Sequence, residues 1–442
     1  MSNATDGFIE YLFRKSAEIT PHVIAKAHEC LADYIAVAEA GAHCSGSKWR
    51  EFLSRAGQGN APVIGYGVHA DPLTACLVNG YNAHCMELDD GQRFAMLHPG
   101  APIITALISA TAEYSIGTDD FIVGLIMGYE AVCRLAITVQ PGHKNKGFHA
   151  AGTCGTIGAA IAVAFALRMD ASRMKTVISA AIASAAGMLE MQAQGSLLKP
   201  YNLGRAAMDG LAAAMMGFTG LPTSDDMLDG ARGFFKLFTD EYDLKKLTTS
   251  TEYFEIERIY VKPYAACRHC HSPIEAALAL SGRISPEEIS EILVKTYKLA
   301  IKGHDHTNIE GISSAKLSIP YSVAAAIVLG KGGQEAFNES AVKREDILKL
   351  TANVRVREAP LPSSLPADAR YATVIIKGKD GREFSRSVDY AKGDPENPMT
   401  HEEFTAKIAS LLQYAGRNDV LLERCLSLLD GRANVAQLIS LL

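Results

Sequence analysis

The stretch H-A-A-G-T-C-G-T-I-G-A-A-I-A-V-A-F-A-L-R, residues 149–168, decides the class of fold. Alanine and glycine also dominate residues 172–188 and 202–218. Small side chains at helical spacing allow helices to cross closely, whereas an isolated helix with so few large side chains gains little from burial. The sequence therefore predicts a multi-helix assembly in which several helices pack tightly against one another.

Helical spacing of apolar residues extends from Pro21 to about Phe218, and the pattern changes after about Glu252. The later part has segments rich in β-branched and aromatic residues, which are typical of strands, and a turn at Lys379–Arg382 that predicts a hairpin. The predicted strands are Phe254–Val261, Ile292–Leu299, Asn353–Arg357, Tyr371–Ile376 and Glu383–Val388. The predicted helix N-caps include Thr118, Ser285 and Thr400.

With 442 residues the chain exceeds the size of one ordinary core, so two domains are expected. Apolar stripes after Thr400 predict a final pair of helices, which indicates that the chain returns to its first domain. We predict a mainly α fold with a large all-helical domain, 1–262 and 394–442, and a smaller α+β, lid-like domain, 263–393. Because clefts between domains favour ligand sites, we expect the active site between the two.

The composition excludes several classes of protein. The net charge is −6 and no block of basic residues occurs, which argues against a nucleic-acid partner. The apolar runs 101–112 and 155–167 are shorter than the ~20 residues of a spanning helix, and the first twenty residues lack a signal-peptide pattern. The nine cysteines are an odd number in mostly apolar sequence, typical of reduced core residues. We expect a soluble, cytoplasmic protein with no membrane partner.

One charged segment interrupts the apolar first half. It reads E-L-D-D-G-Q-R-F-A-M-L-H-P-G from Glu87 to Gly100 and contains Asp89, Asp90, Arg93 and His98. Charged groups in an apolar neighbourhood must be paired, solvated or used in chemistry, because isolated burial is too costly. The segment is therefore either a solvated loop between two core helices or part of a working site.

Two further positions in the helical half could carry proton chemistry. His149 stands at the start of the Ala-rich helix. The free N–H groups there can bind a substrate carboxylate, and the partial positive charge of the helix end lowers the pKa of the imidazole and favours its neutral form. Lys199 precedes Pro200, so it is expected at the end of an extended loop, where it could act as a base or bind an anion. The alternatives are a histidine in a capping loop and a solvated surface lysine.

The segment K-P-Y-A-A-C-R-H-C-H-S-P, from Lys262 to Pro273, collects cations where the two predicted domains meet. Its C-x-x-C-H pattern resembles a haem-attachment motif, but an export signal is missing, and a zinc site would need two more ligands at motif spacing. We read it as a cationic loop in which Lys262, Arg268 and His271 bind substrate carboxylates. Tyr321 begins a later apolar helix and either satisfies its own hydroxyl there or donates to a substrate anion.

No nucleotide-binding, serine-hydrolase or zincin motif occurs, so no cofactor and no metal are expected. What remains is acids, histidines and lysines around an anion site, which indicates proton chemistry on a small anionic substrate.

Five motifs in order resemble the MmgE/PrpD family over nearly the whole chain. They are E-L-D-D…H-P-G, G-F-H…G-T-x-G, K-P-x-N-x-G-R-A-A, K-P-Y…C-R-x-x-H and K-L-S-I-P-Y-S-V-A-A-A. The resemblance implies a helical domain, an α+β domain, a site in the cleft between them and usually a homodimer. It also implies site residues from both domains: His98, His149, Lys199 and Tyr321 as catalytic, and Lys262, Arg268 and His271 as substrate-binding residues.

Activities in the family include 2-methylcitrate dehydratase, cis-aconitate decarboxylase and iminodisuccinate epimerase. Dehydratase and decarboxylase members typically read D-F-D-D-T-x-H in the first motif, whereas this chain has Glu87 for the first acid and Arg93 for the histidine. We therefore expect Arg93 to bind a carboxylate, with Asp89 or Asp90 orienting its neighbours.

The altered motif favours a cofactor-independent epimerase of a small dicarboxylate such as iminodisuccinate, which needs only bases on two faces of one carbon. The alternatives are a lyase of the 2-methylcitrate dehydratase or cis-aconitate decarboxylase kind, and a non-catalytic dicarboxylate-binding protein.

Overall fold

The computed structural model describes residues 3–191, 196–366, 369–432 and 434–442. These residues form a mainly α-helical protein with one small mixed sheet, as the sequence predicts at that level. The first part contains helices α1 Ala4–Ser16, α2 Pro21–Ser45, α3 Arg50–Leu53, α4 Pro72–Cys85, α5 Gly100–Glu113, α6 Thr118–Val139, α7 Gly142–Asn145, α8 Ala150–Ala166, α9 Ala171–Ser184, α10 Tyr201–Met216, α11 Phe234–Phe238 and α12 Lys245–Thr248, with a short hairpin of β1 Ala61–Val63 and β2 Val68–Ala70.

Helix α8 lies at the centre of this part, and every one of its residues is buried. It packs against α5, α6, α9 and α10. A Cβ on Gly158 would lie 2.6 Å from the Cβ of Val132 in α6, so only glycine permits this approach. The Ala- and Gly-rich sequence is therefore used for close helix crossing, as predicted.

A second close crossing positions the functional residues. Where α4 meets α10, a Cβ on Gly204 would lie 2.2 Å from the carbonyl oxygen of Leu77. The contact brings the end of α4, with His84, towards the start of α10, which begins two residues after Lys199. The polar groups at these two helix ends are therefore held together by packing of small residues some distance from them.

The second part is built on a four-stranded sheet of order β4-β3-β5-β6. Strands β3 and β4 are parallel, whereas β3–β5 and the predicted hairpin β5–β6 are antiparallel. Helices α13 and α16 pack together and contact the sheet. The elements are α13 His271–Leu280, β3 Ile289–Thr296, α14 Lys298–Ile301, α15 Ile312–Leu317, α16 Ile319–Leu329, α17 Glu345–Thr351, β4 Val354–Glu358, β5 Ala372–Gly378 and β6 Glu383–Val388.

The chain ends in helices α18 His401–Tyr414, α19 Asp419–Leu429 and α20 Val435–Ile439. Helices α18 and α19 pack on α2, so the chain does return to its first part. Lys407 of α18 donates to the carbonyl of Leu88 at 3.0 Å and pairs with Asp33 of α2 at 2.5 Å. The exact division at residues 262 and 394 stays a prediction.

Three local predictions are wrong. Helix α6 begins at Thr118 with Gly117 as N-cap, because the Thr118 hydroxyl accepts from the N–H of Val435 instead. Residues 254–261 do not form a strand, since Glu255–Arg258 is a 3-10 turn and only Tyr260 makes an isolated β-bridge. Ser285 is the N-cap residue of a short 3-10 helix, Pro286–Glu288, as predicted, but its side chain makes no capping hydrogen bond, so the predicted capping box does not form. In contrast, the Thr400–Glu403 capping box forms as predicted.

Helix α6 is long and apolar enough to span a bilayer by length and composition. However, 89% of its most apolar window is buried inside the protein, between α8, α2 and α5. Burial of this extent is what a central core helix requires.

Candidate active site

A cavity of about 150 Å³ lies between the helical part and the segment that leads into the sheet. Its polar lining is unusually rich in cations and imidazoles, and a few apolar side chains complete the wall. The polar residues are Glu87, Gln92, His98, Gln140, Lys144, His149, Lys199, Tyr260, Lys262, Cys267, Arg268, His269 and Arg370, and the larger apolar ones are Met96, Leu97, Phe148 and Leu189.

The charged segment Glu87–Gly100 forms one side of this cavity. It leaves the end of α4 through Glu87, whose φ of 55° lies in the left-handed region that a non-glycine residue adopts only when its surroundings impose it. Gly91 and Tyr260 then exchange two backbone hydrogen bonds, of 3.1 and 2.9 Å. The segment is consequently an ordered, half-buried structure tied to both parts of the protein, which rules out the solvated loop.

The carboxylate of Glu87 is shared by two lysines. One oxygen pairs with Lys199, and the other accepts from Lys262 Nζ at 3.0 Å. Burial alone would raise the pKa of Glu87, but the two ammonium groups outweigh it and hold that pKa well below its usual range. Burial would likewise lower the pKa of Lys262, yet Glu87 and Asp89 raise it. Two positive charges are therefore fixed around one carboxylate at the cavity wall.

His98 is held with its Nε2 free to accept a proton. Its Nδ1–H donates to the backbone carbonyl of Asp90 at 2.7 Å, so the neutral ring carries its lone pair on Nε2. Asp89 lies 3.4 Å from the same Nδ1 and accepts from His84 Nδ1 at 2.8 Å. Burial lowers the pKa of His98 well below its usual range despite the opposing charge of Asp89. In the free protein this histidine is thus a neutral base.

His149 is held in the opposite tautomer. The side-chain amide of Asn202 donates to its Nδ1 at 3.2 Å, so the neutral ring carries its proton on Nε2. Burial, followed by the charge of Lys199, lowers the pKa of His149 to about 3. The cavity therefore contains two neutral imidazoles with different abilities, because His98 can accept a proton and His149 can donate a hydrogen bond.

The opposite wall carries cations in a different setting. Arg268 is paired with Asp394 at 2.5 Å and donates to His271 Nδ1 at 2.9 Å. Lys144 and Arg370 also line the cavity, and within the described ranges neither forms a salt bridge with a carboxylate. Positive charge without a carboxylate partner is what an incoming substrate carboxylate would neutralise.

The structure brings together five of the predicted site residues and places others elsewhere. His98, His149, Lys199, Lys262 and Arg268 all line the cavity, and Asp89 and Asp90 support His98 from behind it. The carboxylate of Asp90, however, accepts from Tyr129 and Gly100, so it is the backbone of Asp90 that orients His98. The roles of these residues stay predictions.

Three predicted site residues lie outside the lining of this cavity. The guanidinium of Arg93 forms a two-pronged pair with Glu396 and lies outside the cavity lining, because its backbone belongs to the outer turn of the segment. Tyr321 is fully buried and donates to the carbonyl of Ala336 at 2.8 Å, which satisfies its hydroxyl. His271 is also fully buried, with Nε2 at 3.1 Å from the carbonyl of Ala266.

Several residues at the site were not predicted. His269 belongs to the predicted cationic loop but was not assigned to the site; it faces the cavity and lies 2.5 Å from the Tyr297 hydroxyl. The 3-10 turn at Arg268–Cys270 decides which histidine faces in, and the sequence gives no clear signal for such a turn. Lys144 lies in the motif that contains His149, so proximity in sequence could have identified it. Arg370 enters from the edge of the sheet and could not be found in this way.

His84, Asp89 and His98 have donor atoms within 4.8 Å of one another, the arrangement closest to a metal site in the described part of the chain. Asp89 is engaged by His84 at 2.8 Å, and Lys262 Nζ lies 3.9 Å from its other oxygen. The lysines already supply the positive charge that a divalent cation would bring, and they would repel it. The group therefore fits a hydrogen-bonded support for His98 better than a metal centre.

Comparison with known proteins identifies two family domains. The MmgE/PrpD N-terminal domain matches residues 11–247, and the MmgE/PrpD C-terminal domain matches residues 264–428. The chain is 26% identical to the cis-aconitate decarboxylase-like protein oryM of Aspergillus oryzae, over 97% of this chain and 94% of that protein. It is 25% identical to the cis-aconitate decarboxylases of Aspergillus terreus (89% and 86% covered) and Homo sapiens (77% and 72% covered).

Proposed function

The chain belongs to the MmgE/PrpD family, and from that premise we propose that it is a cofactor-independent lyase that decarboxylates a small unsaturated tricarboxylate of the cis-aconitate kind. The observation that carries the proposal is the Glu87–Lys199–Lys262 group beside His98, in a cavity that also holds Lys144 and Arg370. The related decarboxylases support the lyase class over the epimerase that the first motif had favoured.

The chemistry requires cations and one proton. When a carboxylate on a methylene next to a carbon–carbon double bond leaves as CO₂, its bonding pair forms a new double bond. The old π pair then moves to the far carbon, which carries a second carboxylate and takes up a proton. Negative charge thus develops on the retained part of the substrate, and fixed positive charges there stabilise the transition state.

The cavity offers a group for each of these needs. We assign the retained carboxylates to Lys144 and Arg370, and the developing charge to Lys199 and Lys262. The departing carboxylate loses its charge, so binding it to a cation would oppose the reaction. It fits the apolar part of the wall, formed by Leu97, Phe148 and Leu189.

His98 is the proposed proton donor. Its ring is neutral in the free protein because burial lowers its pKa. Two or three negatively charged substrate carboxylates next to the ring act in the opposite direction, since they raise the pKa and favour the imidazolium form. Binding is therefore expected to take up a proton on Nε2, which the ring then delivers to the carbanion. The neutral Nε2–H of His149 donates a hydrogen bond to a retained carboxylate.

We also propose that the active site occupies the cleft between a helical domain and an α+β domain. In support, Lys144, His149 and Lys199 belong to the helical part, whereas Cys267, His269 and Arg370 belong to the segment around the sheet. A homodimer is a further proposal. Exposed apolar side chains at the end of α10 and just after it, including Met215, Met216, Phe218 and Leu221, support it.

The decisive experiment is NMR of cis-aconitate with the protein in D₂O, combined with measurement of CO₂. A decarboxylase releases one CO₂ for each product and places one deuterium on the carbon that was protonated. Deuterium exchange next to a carboxylate without CO₂ release would favour the epimerase instead, and a hydroxy acid as product would indicate a hydro-lyase. If neither cis-aconitate nor the substrates of the epimerase and hydro-lyase alternatives are turned over, a non-catalytic dicarboxylate-binding protein is favoured.

The protein with Lys199→Met gives the matched test of the site. Lys349→Met serves as control, since Lys349 is 77% exposed and, among the described residues, pairs only with Glu345. Loss of CO₂ release in the first variant alone is expected, whereas equal activity in both would reject the assignment of this cavity.

A further inference from the structure

A thiol in the wall of the cavity is in contact with an imidazole. Cys267 Sγ lies 3.3 Å from Nε2 of His304, and both side chains are partly buried. His304 Nδ1 lies 3.1 Å from the carbonyl of Lys302, to which it donates. The neutral ring therefore presents a lone pair on Nε2 to the S–H group. A nucleophile, a base and a group that orients the base are the parts of an activated thiol.

Both members of the pair are fixed by their backbones. The N–H of Cys267 donates to the carbonyl of Lys316 at 2.8 Å, and the carbonyl of His304 accepts from the N–H of Ile319 at 2.8 Å. The two anchors lie on either side of Ser318, the N-cap of α16. The contact between thiol and imidazole is thus set by the start of one helix rather than by two independent loops.

Charges around the thiol favour its ionised form. Burial would raise the pKa of Cys267, but the hydrogen bond and charge of His304 lower it to about 7. Burial would lower the pKa of His304, and the contact with Cys267 raises it. Lys144 and Arg370 add positive charge from two other elements. Glu87 has the opposite influence and raises the pKa of Cys267, whereas a backbone hydrogen bond at His269 lowers it, and Tyr297 also faces the thiol.

The pair does not have the environment of a metal site. Over the ranges that the structure describes, no third histidine, cysteine or carboxylate joins Cys267 and His304 at ligand distance. Cys270, the other cysteine of the C-x-x-C-H pattern, is fully buried and directs its sulfur to the carbonyl of Lys316. Cys267 is consequently a thiol that faces a cationic cavity and has one activating partner.

We propose that Cys267, activated by His304, is a covalent attachment site for small unsaturated carboxylates that enter this cavity. The thiolate sulfur forms a bond to the β-carbon of the unsaturated acid, and the π pair moves to the α-carbon. That carbon then takes the proton from Nε2 of His304, so no oxidant and no leaving group are needed. Lys144 and Arg370 hold the carboxylate during the addition.

The proposal rests on the proposed function only for the source of the electrophile, because substrate and product of that reaction are both unsaturated acids. A slow addition of this kind would occupy the cavity and block turnover. The site would then limit its own activity when unsaturated acids accumulate.

Alkylation followed by peptide mapping tests the thiol without requiring turnover. The protein is treated at pH 6.5 with iodoacetate or with neutral iodoacetamide, and exposed Cys44 serves as internal reference. A thiol with a pKa near 7 carries about twentyfold more thiolate at this pH than an ordinary one. Allowing for its lower intrinsic reactivity, we expect about fivefold faster labelling of Cys267. We further expect Cys267 to prefer iodoacetate, and Arg370→Met to remove that preference.

The matched variant is His304→Gln, which should slow labelling of Cys267 about tenfold at pH 6.5 and leave Cys44 unchanged. Should this variant fail to fold, the pH dependence of labelling in the natural protein gives the same information, with a midpoint near 7 expected. Faster labelling of Cys44 than of Cys267 with both reagents, or a midpoint near 8.5 for Cys267, overturns the proposal.

Fumarate tests the class of ligand. Addition retains all atoms, so Cys267 should gain the mass of the whole dicarboxylic acid, and Cys267→Ser should abolish the adduct. Labelling by iodoacetate without a fumarate adduct would reject unsaturated carboxylates as ligands. Because these measurements need no CO₂ release, they can succeed when the proposed function fails, and fail when it succeeds.

Discussion

The two walls of the cavity carry similar charges in different settings. On the helical side, Lys199 and Lys262 share the buried carboxylate of Glu87. On the opposite wall, Lys144 of α7 and Arg370 at the edge of the sheet have no salt bridge among the described residues, whereas Arg268 on the same wall is paired with Asp394. Paired cations keep their position and charge whether or not substrate is present, whereas unpaired ones are neutralised only by a ligand.

The difference separates two tasks. Catalysis requires charges that are already in place when the transition state forms, since moving them during the reaction costs free energy. Recognition of a substrate carboxylate instead requires cations that gain their salt-bridge partner only when the substrate binds. The paired wall is suited to the first task and the unpaired wall to the second, so substitutions on the two walls should differ in which kinetic constant they change.

The largest effect is expected for Lys262→Met. The substitution removes a fixed charge and leaves Glu87 with one lysine, Lys199, so kcat/KM for CO₂ release should fall by about 10³-fold or more. Unfolding free energy should fall by about 2–3 kcal/mol, less than for an isolated buried pair because Lys199 remains. Kinetics and chemical denaturation measure the two changes.

The double variant Lys262→Met, Glu87→Gln provides the control for stability. Since it removes both charges of the buried pair, it should recover part of the lost stability without recovering activity. Recovery of activity would contradict a catalytic role for the paired wall.

The second effect concerns His98 and pH. Its pKa is held low by burial in the free protein, so binding of a polyanion should take up a proton near neutral pH, and affinity should weaken as pH rises. Calorimetry in buffers of different ionisation enthalpy measures that uptake. His98→Gln should abolish it and lower kcat by about 10²–10³-fold. His69→Gln, at an exposed position, is the matched control; proton uptake that persists in His98→Gln would assign the proton to another group.

A smaller effect is expected on the unpaired wall. Lys144→Met and Arg370→Met should each raise KM about tenfold and change kcat only a few-fold, because each removes one carboxylate contact worth about 1.4 kcal/mol. The KM of the natural protein should also rise with ionic strength. A loss confined to kcat would mean that this wall acts in the chemical step, and the contrast between the walls would then be wrong.

The smallest effect is expected for Tyr321→Phe. Its hydroxyl donates to the carbonyl of Ala336, away from the cavity, so kcat/KM should stay within about twofold while stability falls by about 1–2 kcal/mol. A loss of kcat of tenfold or more, measured in protein shown to be folded by circular dichroism, would restore Tyr321 to the catalytic group.

Much of the helical part was predictable because its signals are local. The alanine and glycine content of 149–168 predicts close crossing, and Gly158 and Gly204 provide it. The Thr400–Glu403 capping box and the 379–382 turn are also decided by neighbouring residues. The strand predicted at 254–261 failed because Glu255 is engaged by Glu130, whose oxygen accepts its N–H at 2.7 Å, and that contact is invisible in sequence.

The same distinction holds for the site. His98, His149 and Lys199 could be identified from polar residues at helix starts in apolar sequence, supported by the resemblance to a family. Arg93 could not be excluded in this way, since a carboxylate partner more than 300 positions away, Glu396, decides where its guanidinium points. The choice between His269 and His271 depends on one 3-10 turn.

The sequence by itself determined the mainly α class and the family, because composition, periodicity and ordered motifs are properties of neighbouring residues. The anion site stays a prediction from the same motifs. Tertiary structure alone decided which cations are paired and which are not. It also decided the opposite tautomers of His98 and His149, and the contact of Cys267 with His304. Charge pairing, proton position and thiol activation depend on distances of a few ångströms between segments far apart in the chain, and only the packed helices fix those distances.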